Sequence, residues 1–79
     1  MEESSRKLLI IEDDAGLRSQ LRWCFDGYEV SMAEDRETGL AQMRRHTPSI
    51  VLLDLGLPPD PANASEGLKA LEQIRALAP

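Results

Sequence analysis

An α/β fold with an open parallel sheet is what this sequence predicts, and three observations predict it. Two short apolar runs, Lys7–Ile11 (KLLII) and Ile50–Leu53 (IVLL), show no alternation, as strands covered on both faces do. The stretches between and after them carry apolar residues at helical spacing. The resulting order, β-α-β-α-β-α, implies parallel strands joined by right-handed crossovers.

Residues 1–6 read as a polar tail, and residues 7–79 as one domain. The first strand, Lys7–Ile11, ends in the carboxylate triplet Glu12-Asp13-Asp14. A helix is predicted from Ala15 to Asp26, with Leu17, Leu21, Cys24 and Phe25 on its inner face and Arg18, Gln20 and Arg22 elsewhere. Asp14 or Asp13 is its N-cap, and Gly27 its terminator. Tyr28–Ala33 alternates, with Tyr28, Val30 and Met32 against Glu29, Ser31 and Ala33. That pattern suits a peripheral strand with one better-covered face. Asp35 caps a second helix, Arg36 to about His46, whose apolar face is Gly39, Leu40 and Met43 and which Thr47-Pro48 stops. The third strand, Ile50–Leu53, leads to Asp54 and a proline-rich loop that is neither helix nor strand. Ser65 caps a third helix, Glu66 to about Ala78, with Leu68, Leu71 and Ile74 facing inward. Placing the unalternating strands centrally and the alternating one at the edge gives the spatial order 2-1-3.

With 79 residues the chain has room for one small domain, which buries only ~60% of the surface its unfolded form exposes. Nine basic against fourteen acidic residues leave a net charge of −5, so this segment is not expected to bind nucleic acid, whose phosphates need a basic face. No apolar run approaches ~20 residues, and the N-terminus MEESSRK has no secretory h-region, so no membrane association is expected. A lone cysteine, Cys24, cannot form an internal disulfide and fits a reducing cytoplasm. Cys24 is expected in the core, and His46 on the solvated surface. Asn63-Ala64-Ser65 matches a glycosylation acceptor but reads as loop chemistry without a secretory signal.

Ligands of open α/β sheets sit beyond the carboxyl ends of the strands, where strand order reverses. In the order 2-1-3 that point lies between strands 1 and 3, whose ends carry Glu12-Asp13-Asp14 and Asp54. Adjacent strands lie ~4.8 Å apart, so these carboxylates come within reach of one ion. Clustered carboxylates repel unless a cation or a shared proton holds them. Hard oxygen donors with room for water suit Mg²⁺. A carboxylate beside such an ion can act as nucleophile toward a phosphoryl group and form an aspartyl phosphate. Gly56 allows close backbone approach after the strand, and Leu57-Pro58 sets the direction of the loop.

LLIIEDD, the helix after it, and IVLLDLGLP resemble the receiver domains of two-component response regulators, from about Lys7 to Ala78. The resemblance implies a flavodoxin-like (CheY-like) fold. It also implies that Asp54 is the phosphoacceptor, taking a phosphoryl group from the phosphohistidine of a sensor histidine kinase. Asp13 and Asp54 would ligate Mg²⁺ directly, the Gly56 backbone carbonyl would be a further ligand, and Glu12 would act through water. RSQLRWCFDGYEV, AEDRE and DLGLPPDPANASEGL are similar to the receivers of NtrC-type PEP-CTERM-box response regulators, implying a sigma-54-dependent transcription activator as parent protein. The family fold has about five strands and five helices, so the chain is expected to be its N-terminal portion, truncated after β1-α1-β2-α2-β3-α3. The family's switch Ser/Thr and phosphate-binding Lys would lie beyond Pro79; Lys69, on the third helix, does not match that lysine.

Such a domain is a phosphoacceptor and not an enzyme, beyond Mg²⁺-assisted phosphorylation and dephosphorylation of itself. One rival reading is an aspartyl-nucleophile phosphatase. Haloacid-dehalogenase-like enzymes carry a second acid two residues after the nucleophile, where this chain has Gly56. Another is a receiver-fold module that works by protein contact without phosphorylation. Self-association is expected through strand 3 or the face around Leu17, Leu21 and Phe25, because an uncovered strand edge invites pairing.

Overall fold

The computed structural model describes residues 6–54 and 65–77. Strand β1 (Lys7–Ile11) lies at the centre of a three-stranded parallel sheet, between β2 (Glu29–Ala33) and β3 (Ile50–Leu53), in the order β2-β1-β3. The register aligns Leu8 with Val30 and Ile50, and Ile10 with Met32 and Leu52. These six residues share one face. Leu9, Ile11, Ser31, Ala33, Val51 and Leu53 occupy the other.

The second face carries the main core. Helices α2 (Arg36–His46) and α3 (Ser65–Leu77) cover it, bringing Leu40, Met43, Ala70 and Ile74 against Leu9, Ile11 and Ala33, with Val51 and Leu53 at the margin. Helix α1 (Ala15–Cys24) lies over the first face, where Leu8 and Ile10 are fully buried. Helices on both faces explain why β1 shows no alternation. Burying each of its four Leu and Ile side chains contributes about 1.5–3 kcal/mol.

Several details differ from expectation. Helix α1 has no buried residue, its Leu17 is exposed, and Cys24 is exposed rather than in the core. It stops two residues early: Phe25 is the C-cap, its N–H donating to the carbonyls of Leu21 and Arg22. Gly27 therefore does not end it, and no described glycine has a positive φ. Beyond the helix, Phe25 and Tyr28 meet edge to face at 5.5 Å, and the Arg6 guanidinium lies over the Tyr28 ring. An open groove of about 490 Å³ runs between α1 and β2, over Val30 and Met32. So the apolar side of β2 is the half-covered one, and Ala33, on the opposite side, is buried. Strand β3 forms the other edge of the described sheet, and its Ile50 is exposed. His46 is half-buried rather than fully solvated.

Helix α2 begins as expected. Asp35 accepts from the Thr38 amide at 2.8 Å and from the Thr38 hydroxyl at 2.7 Å, while the Asp35 amide donates back to Thr38 Oγ1 at 3.3 Å. This reciprocal capping, the hydroxyl bond first, holds the Asp35 carboxyl below its usual range. The helix ends at Thr47, a β-branched residue in the left-handed region (φ 44°, ψ 58°), and Pro48 blocks continuation.

Helix α3 buries a different stripe from the one its leucines suggest. Gly67, Ala70 and Ile74 face inward, whereas Leu68 and Leu71 are 49% and 40% exposed. Small residues let α3 approach α2 closely, and the pair is clamped by charge. Arg36 Nε donates to Glu66 Oε1 at 2.8 Å, and its Nη1 donates to Gln73 at 3.0 Å. A cation in the first turn of α2 opposes the helix dipole, and this bridge between helices accounts for its place there.

Gly39 shows how tight the α2–sheet contact is. A Cβ there would lie 2.7 Å from Ile11 Cδ1 and 3.2 Å from its Cγ1, and Ile11 is fully buried. Gly39→Ala is expected to lower stability in urea unfolding by about 1–2 kcal/mol, overpacking outweighing the better helix propensity of Ala. Gly27→Ala, with no atom within 4 Å of the added methyl, should stay within about 0.5 kcal/mol of the parent.

Candidate functional site

The ends of β1 and β3 bring the predicted acids together. The ladder continues just past both strands: the Glu12 amide donates to the Ala33 carbonyl at 3.0 Å, and the Asp54 amide to the Ile11 carbonyl at 2.9 Å. Each acid is thus fixed by main-chain bonds to the buried strand or its neighbour. Glu12, Asp13 and Asp54 can each present a carboxylate oxygen within 4.8 Å of the others'.

Their environments differ. Glu12 is buried at 8% exposure, Asp54 is half-buried, and Asp13 is exposed. Asp14 belongs to a different structure. Its Oδ1 accepts from the Leu17 amide at 2.9 Å, which makes it the N-cap of α1 and settles the choice between Asp13 and Asp14. Gly56 and the loop from Pro58 to Ser65 fall on residues 55–64 and the start of α3; residues 55–64, Gly56 included, lie outside the described residues.

Burial pushes the Glu12 carboxyl above its ordinary range, and the neighbouring Asp13 and Asp54 push the same way; a hydrogen bond from the Asp14 amide at 3.2 Å opposes them. A hard divalent cation fits this donor set. The oxygens converge, Asp13 is exposed to solvent, and like charges that raise a carboxyl pKa are what a cation relieves.

Sequence reasoning missed Arg18, which it set off the apolar face of α1 without assigning it a role. It is half-buried, and its Nη1 donates to the Glu12 main-chain carbonyl at 2.6 Å. The spacing signal was a cation one turn into the helix that follows the acidic triplet.

The raised Glu12 pKa fixes a pH dependence. A group whose pKa is higher in the folded state adds stability below its unfolded pKa and loses that contribution as pH rises through the folded value. In the metal-free chain, Glu12→Gln is therefore expected to raise stability at neutral pH and to leave it unchanged well below about pH 4. Urea unfolding at two pH values with a chelator present checks both.

The comparisons agree with this geometry. A family model described as the response regulator receiver domain matches residues 8–79. Curated relatives include the probable transcriptional regulator ycf27 of Pyropia yezoensis, 38% identical over 60 residues, which covers 73% of this chain and 25% of that protein. The response regulator MprA of Mycobacterium sp. (strain KMS) is 31% identical over 72 residues, 89% of this chain and 29% of its own length. The KDP operon transcriptional regulatory protein KdpE of Escherichia coli (strain K12) is 33% identical over 70 residues, 86% of this chain and 29% of its own. The chain thus spans less than a third of the length of these relatives. With three parallel strands in the order 2-1-3 and an acidic cluster at the switch point, the chain belongs to the response regulator receiver domain family.

Proposed function

We propose that this receiver domain is phosphorylated on Asp54 in a Mg²⁺-dependent transfer from a sensor histidine kinase. The observation that carries the reading is the position of Asp54, at the end of β3 with its amide bonded to Ile11, beside the carboxylates of Glu12 and Asp13. In the transfer an Asp54 carboxylate oxygen forms a bond to phosphorus, and the bond from phosphorus to the donor imidazole breaks. Asp13 and Asp54 would hold the ion directly, Glu12 through water, and the Gly56 carbonyl would complete the protein ligands. Bound Mg²⁺ supplies charge neutralisation for the phosphoryl oxygens. The half-buried setting of Asp54 keeps its oxygens reachable while the ladder holds their direction.

In this reading the domain is an acceptor and not an enzyme in its own right, and it works in the cytoplasm. No described helix is long and apolar enough to cross a membrane. Its output is transcriptional, in keeping with relatives that are themselves named transcriptional regulators. The likeness of its loops to the NtrC-type PEP-CTERM-box branch makes a sigma-54-dependent activator the parent we favour, with DNA contact made by other domains. Self-association belongs to the same reading: Ile50 on the edge strand β3, and Leu68, Leu71 and Leu77 on α3, expose apolar surface.

Treatment with a small-molecule phosphodonor and Mg²⁺ is expected to add one phosphoryl group, read by intact mass, and Asp54→Asn to abolish it. Asp13→Asn should reduce labelling far more than Asp14→Asn, because Asp14 is occupied in capping. Full labelling of the Asp54 variant would refute the assignment to this residue, and absence of labelling in the parent chain would leave the unphosphorylated interaction module as the better reading. Sedimentation velocity at micromolar concentration is expected to show a dimer or larger species; a monomer across that range refutes self-association.

A further inference from the structure

The β1–α1 turn can be accounted for bond by bond. The Glu12 amide donates to the Ala33 carbonyl, and the Asp14 side chain caps α1 through the Leu17 amide. Between these anchors stands Asp13, exposed and flanked by two peptide planes. The plane before it carries the Glu12 carbonyl, which accepts from Arg18 Nη1 at 2.6 Å. The plane after it carries the Asp14 amide, which donates to Glu12 Oε2 at 3.2 Å. Fixing both planes fixes the backbone dihedrals of Asp13, and with them the direction in which its carboxylate leaves the chain.

We propose that Arg18 is a positioning residue for the acidic cluster. By holding the Glu12–Asp13 peptide, it aims the Asp13 carboxylate at the point shared with Glu12 and Asp54. The proposal rests on reading that cluster as a divalent-cation site. Arg18 suits the task because a half-buried guanidinium on the first turns of α1 reaches back over the turn with a fixed donor geometry. A bond from a charged donor is also stronger than a neutral one.

Two effects of Arg18 have opposite signs, so its role is decidable. As a positive charge near the cluster it repels a cation, and removing it would strengthen Mg²⁺ binding. As a positioning group it orients a ligand, and removing it weakens binding. Partners that orient the ligands of metal sites are worth on the order of tenfold or more in affinity. The geometry predicts that orientation wins.

The test is calorimetric titration of Mg²⁺ into the chain and its variants, with circular dichroism confirming the fold. Arg18→Met is expected to weaken Mg²⁺ binding on the order of tenfold, although a like charge has been removed. Arg18→Lys, which keeps a charged donor, should stay within about threefold of the parent. If Arg18→Met does not fold, Arg18→Gln replaces it under the same expectation. Amide hydrogen exchange at Asp14 in the metal-free chain provides a second readout, expected to speed up in Arg18→Met. Unchanged or tighter Mg²⁺ binding in Arg18→Met overturns the proposal. Absence of binding by the parent chain, with Asp13→Asn indistinguishable from it, overturns the cation reading itself, and the proposal falls with it.

Discussion

Everything in this domain hangs on the burial of β1. Leu8, Leu9, Ile10 and Ile11 are at most 1% exposed, hydrogen-bonded to a strand on each side and covered by helices on each face. A strand held from four directions has no register to slip into without exposing one of its faces. Its neighbours inherit that rigidity through the ladder. The last bonds of the ladder, from Glu12 to Ala33 and from Asp54 to Ile11, carry it directly into the acidic cluster. The cluster is thus an extension of the core, made of polar residues on an apolar foundation.

That foundation has electrostatic work to do. Three carboxylates with oxygens within 4.8 Å of one another repel, and burial first, with Asp13 and Asp54 adding to it, raises the pKa of Glu12. Left to a flexible loop, such side chains would turn outward into water. Here the backbone beneath them cannot move, and the turn that carries Asp13 is closed by hydrogen bonds from Arg18 and Asp14. Repulsion that a scaffold contains would give a divalent cation bound at this place its advantage over water. The arrangement that suits a cation is therefore one that lowers the stability of the metal-free fold.

Close packing around the sheet depends on small residues as much as on large ones. Gly39 lies where any side chain would strike Ile11, and Gly67 and Ala70 let α3 settle onto α2, where Arg36 bridges to Glu66 and Gln73. Helix α1 is the contrast. It covers Leu8 and Ile10 yet buries none of its own residues, leaving Cys24 exposed and an open groove along β2. The two faces of the sheet are therefore unequal, with a dense α2–α3 side and a thinly covered α1 side.

The elements, their order and the identity of the acids are legible from the residues alone. Each of these is written locally: an apolar run without alternation marks β1, an Asp before a helical period marks the α2 cap, and an acid at the end of each of two such strands marks the switch point. Tertiary structure decided what depends on distances across the chain. Periodicity placed Leu68, Leu71 and Ile74 on the inner face; Ile74 is buried there, but Gly67 and Ala70 turned inward in place of the two leucines, because small residues permit the close approach. It placed Cys24 among core residues, but burial needs a partner surface and α1 has little of one. It set Arg18 off the apolar face and gave it no partner, since a side chain reaching back across a turn follows no period. The convergence of Glu12, Asp13 and Asp54 was legible as a consequence of strand order, and it became a distance only when parallel pairing set β3 beside β1.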